Sequence, residues 1–182
     1  MQARGKAVAA VPKFIIKNFG KKEYQKWLDV ISAEAHNIYA MSIDNDEWYP
    51  LKETIIQPCA NIAQLFFQWD LKKAAWELGR FSADYAIGGV SRFFGKKSNA
   101  GAFLNKVKEY MSDYYRPVTV EVIDEGENAA TLKVTDFPEM DNTMTYRIAG
   151  WVERALEITG CKEVKVEINS STTITEFKLS WQ

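Results

Sequence analysis

One histidine and two cysteines in 182 residues leave little material for metal chemistry. A structural zinc site draws on about four nitrogen or sulfur ligands, and one imidazole with two distant thiols does not make such a set. Cys59 and Cys161 show no CxxC spacing and no disulfide framework; they read as two reduced, partly buried thiols of a cytoplasmic protein, with a bridge between them as the alternative. An excess of one charge is also missing. Twenty-three Lys and Arg against 24 Asp and Glu give a formal net charge of -1, so the strong positive field of a dedicated nucleic-acid binder is not expected. No apolar run approaches the roughly 18 residues that span a bilayer, and no charged-apolar-cleavage pattern marks a signal peptide. Repeats, low-complexity tracts and long Gly/Ser linkers are absent.

What remains is a chain with 47% hydrophobic residues, enough for one sizeable core. Residues 1–10 are small and polar and read as a flexible tail; residues 11–182 read as a single α+β domain. Apolar residues first recur at helical spacing. Phe14, Ile15 and Phe19, then Tyr24, Trp27, Leu28 and Ile31, predict two short helices separated at Gly20. The acidic loop around Ser42–Trp48 would cap a helix from Tyr49, with Pro50 in its first turn and a kink or break at Pro58. Asp70 is a good N-cap for a helix through Tyr85, ended by Gly88-Gly89. A short helix over Val90–Phe94 and a longer one carrying Phe103, Leu104, Val107, Tyr110, Met111 and Tyr114 follow.

Near Pro117 the period falls to two. Val118, Val120 and Val122 share one face, answered by Leu132 and Val134 across a turn at Asp124–Asn128. Asp141 or Asn142 opens a long helix closed by Gly160. In the last hairpin, Val164, Val166 and Ile168 set opposite Trp181, Leu179 and Phe177 make three apolar pairs and place Glu167 beside Lys178. Each such pair contributes ~0.2–1 kcal/mol, so this register is preferred over one slid by four residues. The expected fold is an N-terminal helical half packed on a four-stranded antiparallel sheet, with a β-β-α-β-β order in the C-terminal part.

Candidate chemistry is sparse. His36 has no Cys or acidic neighbours at ligand spacing and reads as a surface or hydrogen-bonded helical histidine. Asp44, Asp46 and Glu47 lack the glycine of a calcium loop and read as a solvated capping turn. Lys96-Lys97-Ser98 lacks the spacing of a phosphate loop. Ser82, Ser91 and Ser112 have no histidine base nearby. Glu77, Arg80 and Asp84 lie on one helical face, with Arg92 one helix away. They are either an intrahelical ion-pair ladder or a polar headgroup site. The aromatics of the helical half either fill the core or line an apolar pocket. The candidate ligand contacts are Phe66, Trp76, Arg80, Phe81, Asp84, Tyr85, Arg92 and Trp151.

Several phrases in a fixed order carry a resemblance: Trp48-Tyr49-Pro50-Leu51, Glu77-Leu78-Gly79-Arg80 with Asp84-Tyr85, Tyr114-Tyr115, Phe137-Pro138, Ala149-Gly150-Trp151 with Glu157-Ile158-Thr159-Gly160, and Glu176–Trp181. The chain resembles uncharacterised bacterial proteins related to the 4-vinyl-reductase domain. That domain is grouped with the heme–nitric-oxide-binding and TRAPP-subunit folds in one ligand-binding superfamily. The resemblance covers roughly residues 11–181. It implies helices packed on a twisted four-stranded sheet, an apolar cavity between layers, and often a dimer. Two departures accompany it. The final hairpin, Asn169–Thr175, has none of the cysteines of 4-vinyl-reductase relatives. The proximal histidine and Tyr-x-Ser-x-Arg motif of the heme-binding branch are also missing. No cofactor is therefore expected.

The residues assemble no base–nucleophile or metal set, so an enzyme is not the favoured reading. The expectation is a non-catalytic sensor or adaptor module that binds a small apolar or amphipathic ligand between helices and sheet. A structural homodimeric interaction module without ligand is the alternative. A homodimer is expected in either case, with no nucleic acid and no membrane span. A heme gas sensor is a third reading, which predicts a Soret band.

Overall fold

The computed structural model describes residues 1–87 and 100–182, Ala102 by its backbone alone. The chain begins inside the fold: β1 (Gln2–Arg4) and α1 (Gly5–Val8) replace the flexible tail expected there. β1 is the middle strand of a small antiparallel sheet, between β2 (Trp48–Pro50) and β3 (Tyr115–Arg116). The reason lies in the small side chains read as tail-like. Ala3 and Val8 are fully buried, and Ala7 nearly so, because small residues admit close neighbours on both sides. β2 also corrects the helix start expected at Tyr49, since Tyr49 pairs with Ala3 as a strand residue.

Three helices follow: α2 (Ala10–Phe19), α3 (Lys21–Val30) and α4 (Ala33–Tyr39). The break between α2 and α3 falls at Gly20, as its position predicts. A π-helical turn over Lys52–Ile56 leads into α5 (Gln57–Phe66). Pro58 explains the irregularity. Without an N–H it cannot serve the Thr54 carbonyl one turn back. Tyr39 takes that place by donating its hydroxyl hydrogen bond to the Thr54 oxygen. The fully buried Trp27 donates from its indole nitrogen to the Pro58 carbonyl at 3.2 Å. Asp70 caps α6 (Leu71–Ile87), accepting from the Lys73 amide at 2.9 Å. The expected Gly88-Gly89 terminus and the helix over Val90–Phe94, with Arg92, lie outside the described residues.

α7 (Ala100–Tyr114) buries Phe103, Leu104, Val107 and Met111 of the predicted stripe and leaves its Tyr110 and Tyr114 half-buried. It ends at β3, and β4 (Thr119–Gly126), β5 (Ala129–Thr135), α8 (Asn142–Ile158), β6 (Lys165–Ser170) and β7 (Thr175–Ser180) complete the chain. The four-stranded sheet is antiparallel in the order β4-β5-β7-β6. Val120 faces Val134 and Val122 faces Leu132; Val166 faces Leu179, Ile168 faces Phe177 and Glu167 faces Lys178, as the apolar alternation requires. Asp141 caps α8 by accepting from the Met144 amide at 2.9 Å.

The fold is thus α+β. Among the described residues, α7 and α8 pack on the four-stranded sheet, while α6 packs on α8 and carries α2 and α5 on its other sides. The α6–α8 contact is unusually close because each helix supplies a glycine. A Cβ at Gly79 would lie 2.1 Å from the Arg147 carbonyl oxygen, and one at Gly150 would lie 2.3 Å from that of Trp76. Two helices can approach to this separation only where neither carries a side chain at the crossing.

Candidate functional site

The close crossing fixes the α8 backbone at Arg147 directly on α6. The Arg147 side chain crosses the next turn of α6 and reaches α1. Its Nη2 donates to the Ser82 hydroxyl at 3.2 Å and to the Ala7 carbonyl at 3.1 Å. Ser82 passes its own hydrogen to the Leu78 carbonyl at 2.7 Å. Ala7 stands at the end of a one-turn helix, where carbonyls lack intrahelical partners and attract a cation. Arg147 is only 2% exposed, and its Nε and Nη1 have no hydrogen-bond partner. No carboxylate oxygen among the described residues lies within 4.0 Å of it. This is a buried guanidinium with no carboxylate partner, an arrangement that costs several kcal/mol.

Arg147 borders a recess between α1, α2, α6, α7 and α8. Its interior void is about 20 Å³, room for about one water molecule. Ala7, Ala10 and Ile148 give it an apolar base. Tyr110, Met111 and Tyr114 of α7 form the outer wall, with Trp151 and Tyr115 beside them. Tyr110 and Trp151 rings lie 5.8 Å apart, and Phe103 sits behind both. At the mouth Lys6 pairs with Asp113 at 2.9 Å and lies 5.0 Å from the Tyr114 ring centre. Burial pushes the Tyr114 hydroxyl up to about 12, with the neighbouring tyrosines and Asp113 adding to burial and Arg147 opposing it, so it stays a neutral phenol.

Of the eight residues singled out from the sequence, Trp151 lines this recess. Phe66 stacks on Phe19 at 4.3 Å, and Phe81 meets Phe14 edge-on at 5.5 Å, both at the contacts of α2 with its neighbours. Tyr85 is exposed and receives Lys13, whose ammonium lies 4.0 Å from the ring centre. Trp76, Arg80 and Asp84 gather along α6, where their partners come from α8. Trp76 donates to Glu153 at 2.8 Å. Arg80 pairs with Glu153 and Glu157, and Arg154 bridges Asp84 and Glu157 at 2.8 Å to each. The ladder therefore runs between helices and does not use Glu77, because the glycine crossing brings two α8 glutamates, one turn apart, beside Arg80. Arg92 lies outside the described residues.

Arg147 escaped the sequence reading. A signal for it existed: Met144, Arg147, Ile148 and Trp151 follow helical spacing, so a lone arginine stands within the apolar stripe of α8.

Comparison with known proteins locates the fold. No protein-family model matches the chain, and no curated protein matches it by sequence. Solved structures do match. An H-NOX protein mutant from K. algicida, crystallised as Fe(II) without ligand, superposes with a TM-score of 0.74 at 12% identity, covering 98% of this chain and 96% of that one. An H-NOX protein from S. oneidensis in the Fe(II)NO state gives 0.73 at 9% identity, covering 98% and 99%. A third structure, from work on heme redox potential and porphyrin distortion, gives 0.66 at 13% identity, covering 98% and 95%. The chain therefore has the H-NOX fold. The likeness supports the heme–NO-binding side of the expected resemblance; it does not support the 4-vinyl-reductase or TRAPP sides.

A heme does not fit the residues present. The one imidazole, His36, is exposed on α4 and is not among the residues lining the recess. Burial pushes the Cys59 thiol up to about 12, against the opposing charge of Arg147 and with Asp141 adding to burial, so it stays protonated. Among the described residues, no cluster of three His, Cys, Asp or Glu side chains could hold a metal ion. The recess interior admits one water-sized sphere, where a porphyrin needs a broad slot. Likewise, no helix among the described residues is long and apolar enough to cross a membrane.

Proposed function

We propose that the chain is a small-molecule-binding module of the sensor or adaptor type, built on the H-NOX fold and working without heme. The ligand occupies the recess under α7. The observation that carries this reading is Arg147, a buried cation without a counter-charge at the base of an apolar recess. Binding sites are concave and mostly apolar with a few convergent polar groups, and this recess has that composition. The solved neighbours with heme or iron in their names support the use of this fold for ligand binding.

A ligand under α7 would hold Tyr110, Met111 and Tyr114 in one arrangement against α8. A ligand that favours one arrangement shifts the population towards it by its differential affinity, and α7 also rests on β4 of the sheet. The homodimer belongs to the same proposal, supported by the exposed Trp69 and Leu65 near the α5–α6 turn. Native mass spectrometry of freshly purified protein tests the reading, with a bound small molecule expected and light scattering reporting the dimer. Reconstitution with hemin should give no stoichiometric Soret band. A ligand-free protein that binds nothing in a metabolite screen, or one that takes up heme stoichiometrically, would overturn it.

A further inference from the structure

We infer that Arg147 recognises the anionic head of the ligand, and that the ligand is a small monocarboxylate with an apolar, preferably aromatic, body. This rests on the recess being a ligand site, as proposed above. Arginine carries five N–H donors. Nη2 spends its two on Ala7 and Ser82, so three remain on Nε and Nη1, all shielded from water. Arg80 and Arg154, on the same helix pair, each hold two carboxylates. The partner that Arg147 lacks is thus the one its neighbours have. Hydrogen bonds from guanidinium to carboxylate are charge-assisted and roughly twice as strong as neutral ones.

The surroundings narrow the class. The recess lining contains two cationic side chains, Lys6 and Arg147, and no Asp or Glu, so an incoming anion meets no like charge there. Lys6 is already paired with Asp113. One unpaired guanidinium matches one negative charge; a phosphate dianion would leave the second charge in an apolar site, at a large desolvation cost. The void beside Arg147 has room for about one water molecule, so a carboxylate enters it only as the α7 wall gives way, and the body lies towards the mouth. Met111 has the flexible side chain that yields room, and Tyr110 and Trp151 offer ring faces to a flat body.

Isothermal titration calorimetry on the full chain tests this with acetate, benzoate, phenylacetate and indole-3-acetate, each matched by its amide, and with inorganic phosphate. At least one aromatic carboxylate is expected to bind about tenfold or more tighter than its amide, with acetate and phosphate weaker still. Arg147→Met should lose that preference, whereas Arg147→Lys should keep part of it. The ligand-free Arg147→Met protein should melt no lower than wild type. Carboxylates and amides binding alike would overturn the anionic head while leaving the recess reading intact. Phosphate binding best would overturn the monocarboxylate. No binding by any probe would overturn this inference, and the recess reading falls with it only if native mass spectrometry also finds nothing bound. The carboxylate–amide comparison uses wild-type protein, so it stands even if a variant misfolds.

Discussion

α6 and α8 carry arginines in two opposite situations. Arg80 and Arg154 sit on the outer edge of the helix pair, about one-quarter to one-third exposed, tied to Glu153, Glu157 and Asp84. Arg147 sits on the inner side of the same pair, buried and without a carboxylate. The outer ladder is conspicuous and adds little, because exposed ion pairs gain modest Coulomb energy and give up side-chain entropy. The inner arginine makes two hydrogen bonds, both to neutral oxygens. A charge withdrawn from water without a counter-ion is a standing cost, and proteins keep such costs where function requires them.

Three measurements sharpen or break this contrast. The largest effect is expected from Gly150→Ala, which drives a methyl group into the Trp76 carbonyl and separates the surfaces both arginine sets depend on. Urea denaturation should show a loss of about 3 kcal/mol or more, the upper range for overpacking. A loss below about 1 kcal/mol would mean the crossing is slack. Next comes the sign of Arg147→Met in the ligand-free protein. Replacing an unpaired buried charge by an apolar side chain should leave stability unchanged or raise it by about 1–2 kcal/mol. A fall of that size or more would assign Arg147 to holding α1 in place.

The smallest effect belongs to the outer ladder. Burial pushes the Glu157 carboxyl up, but hydrogen bonds from Arg80 and Arg154, with their charges, outweigh it and hold it below the usual glutamate range. A carboxyl lowered in the folded state adds stability that is fully present above its unfolded pKa and is lost as pH falls through its folded value. Glu157→Gln should therefore cost about 0–1 kcal/mol at pH 7 and less at high salt. The gap to wild type should close as pH drops below the ordinary glutamate range of about 4.3. A gap that persists there would show that packing, not charge, accounts for the difference.

These contrasts explain what the sequence disclosed. The last hairpin was legible to the register at Val166–Leu179 and Ile168–Phe177, because period-two patterning sets these apolar side chains opposite one another; the expected Val164–Trp181 pair lies beyond the paired strands, and the β5–β7 pairing joins strands separated by α8, with no local signal. The helix caps at Asp70 and Asp141 were legible because their chemistry is local. The small sheet was not: β1, β2 and β3 have two or three residues each, too few to show a period, and β1 pairs with segments far along the chain, Gln2 with Pro50 on one side and with Arg116 on the other. The candidate site divided in the same way. Trp151 stood out as a large aromatic, whereas the one signal for Arg147 was its place in the apolar stripe of α8, which marks burial but not the absence of a carboxylate partner. Its isolation depends on α1 and α6 arriving from elsewhere in the chain.

The glycine-to-glycine crossing has a mechanical corollary. Backbones pressed together at Gly79 and Gly150 leave no slack for α6 and α8 to slide or roll, so the pair acts as a stiff keel. Any signal from an occupied recess must then travel through what is hung on that keel, above all the α7 strut, whose far side leans on the sheet edge at β4.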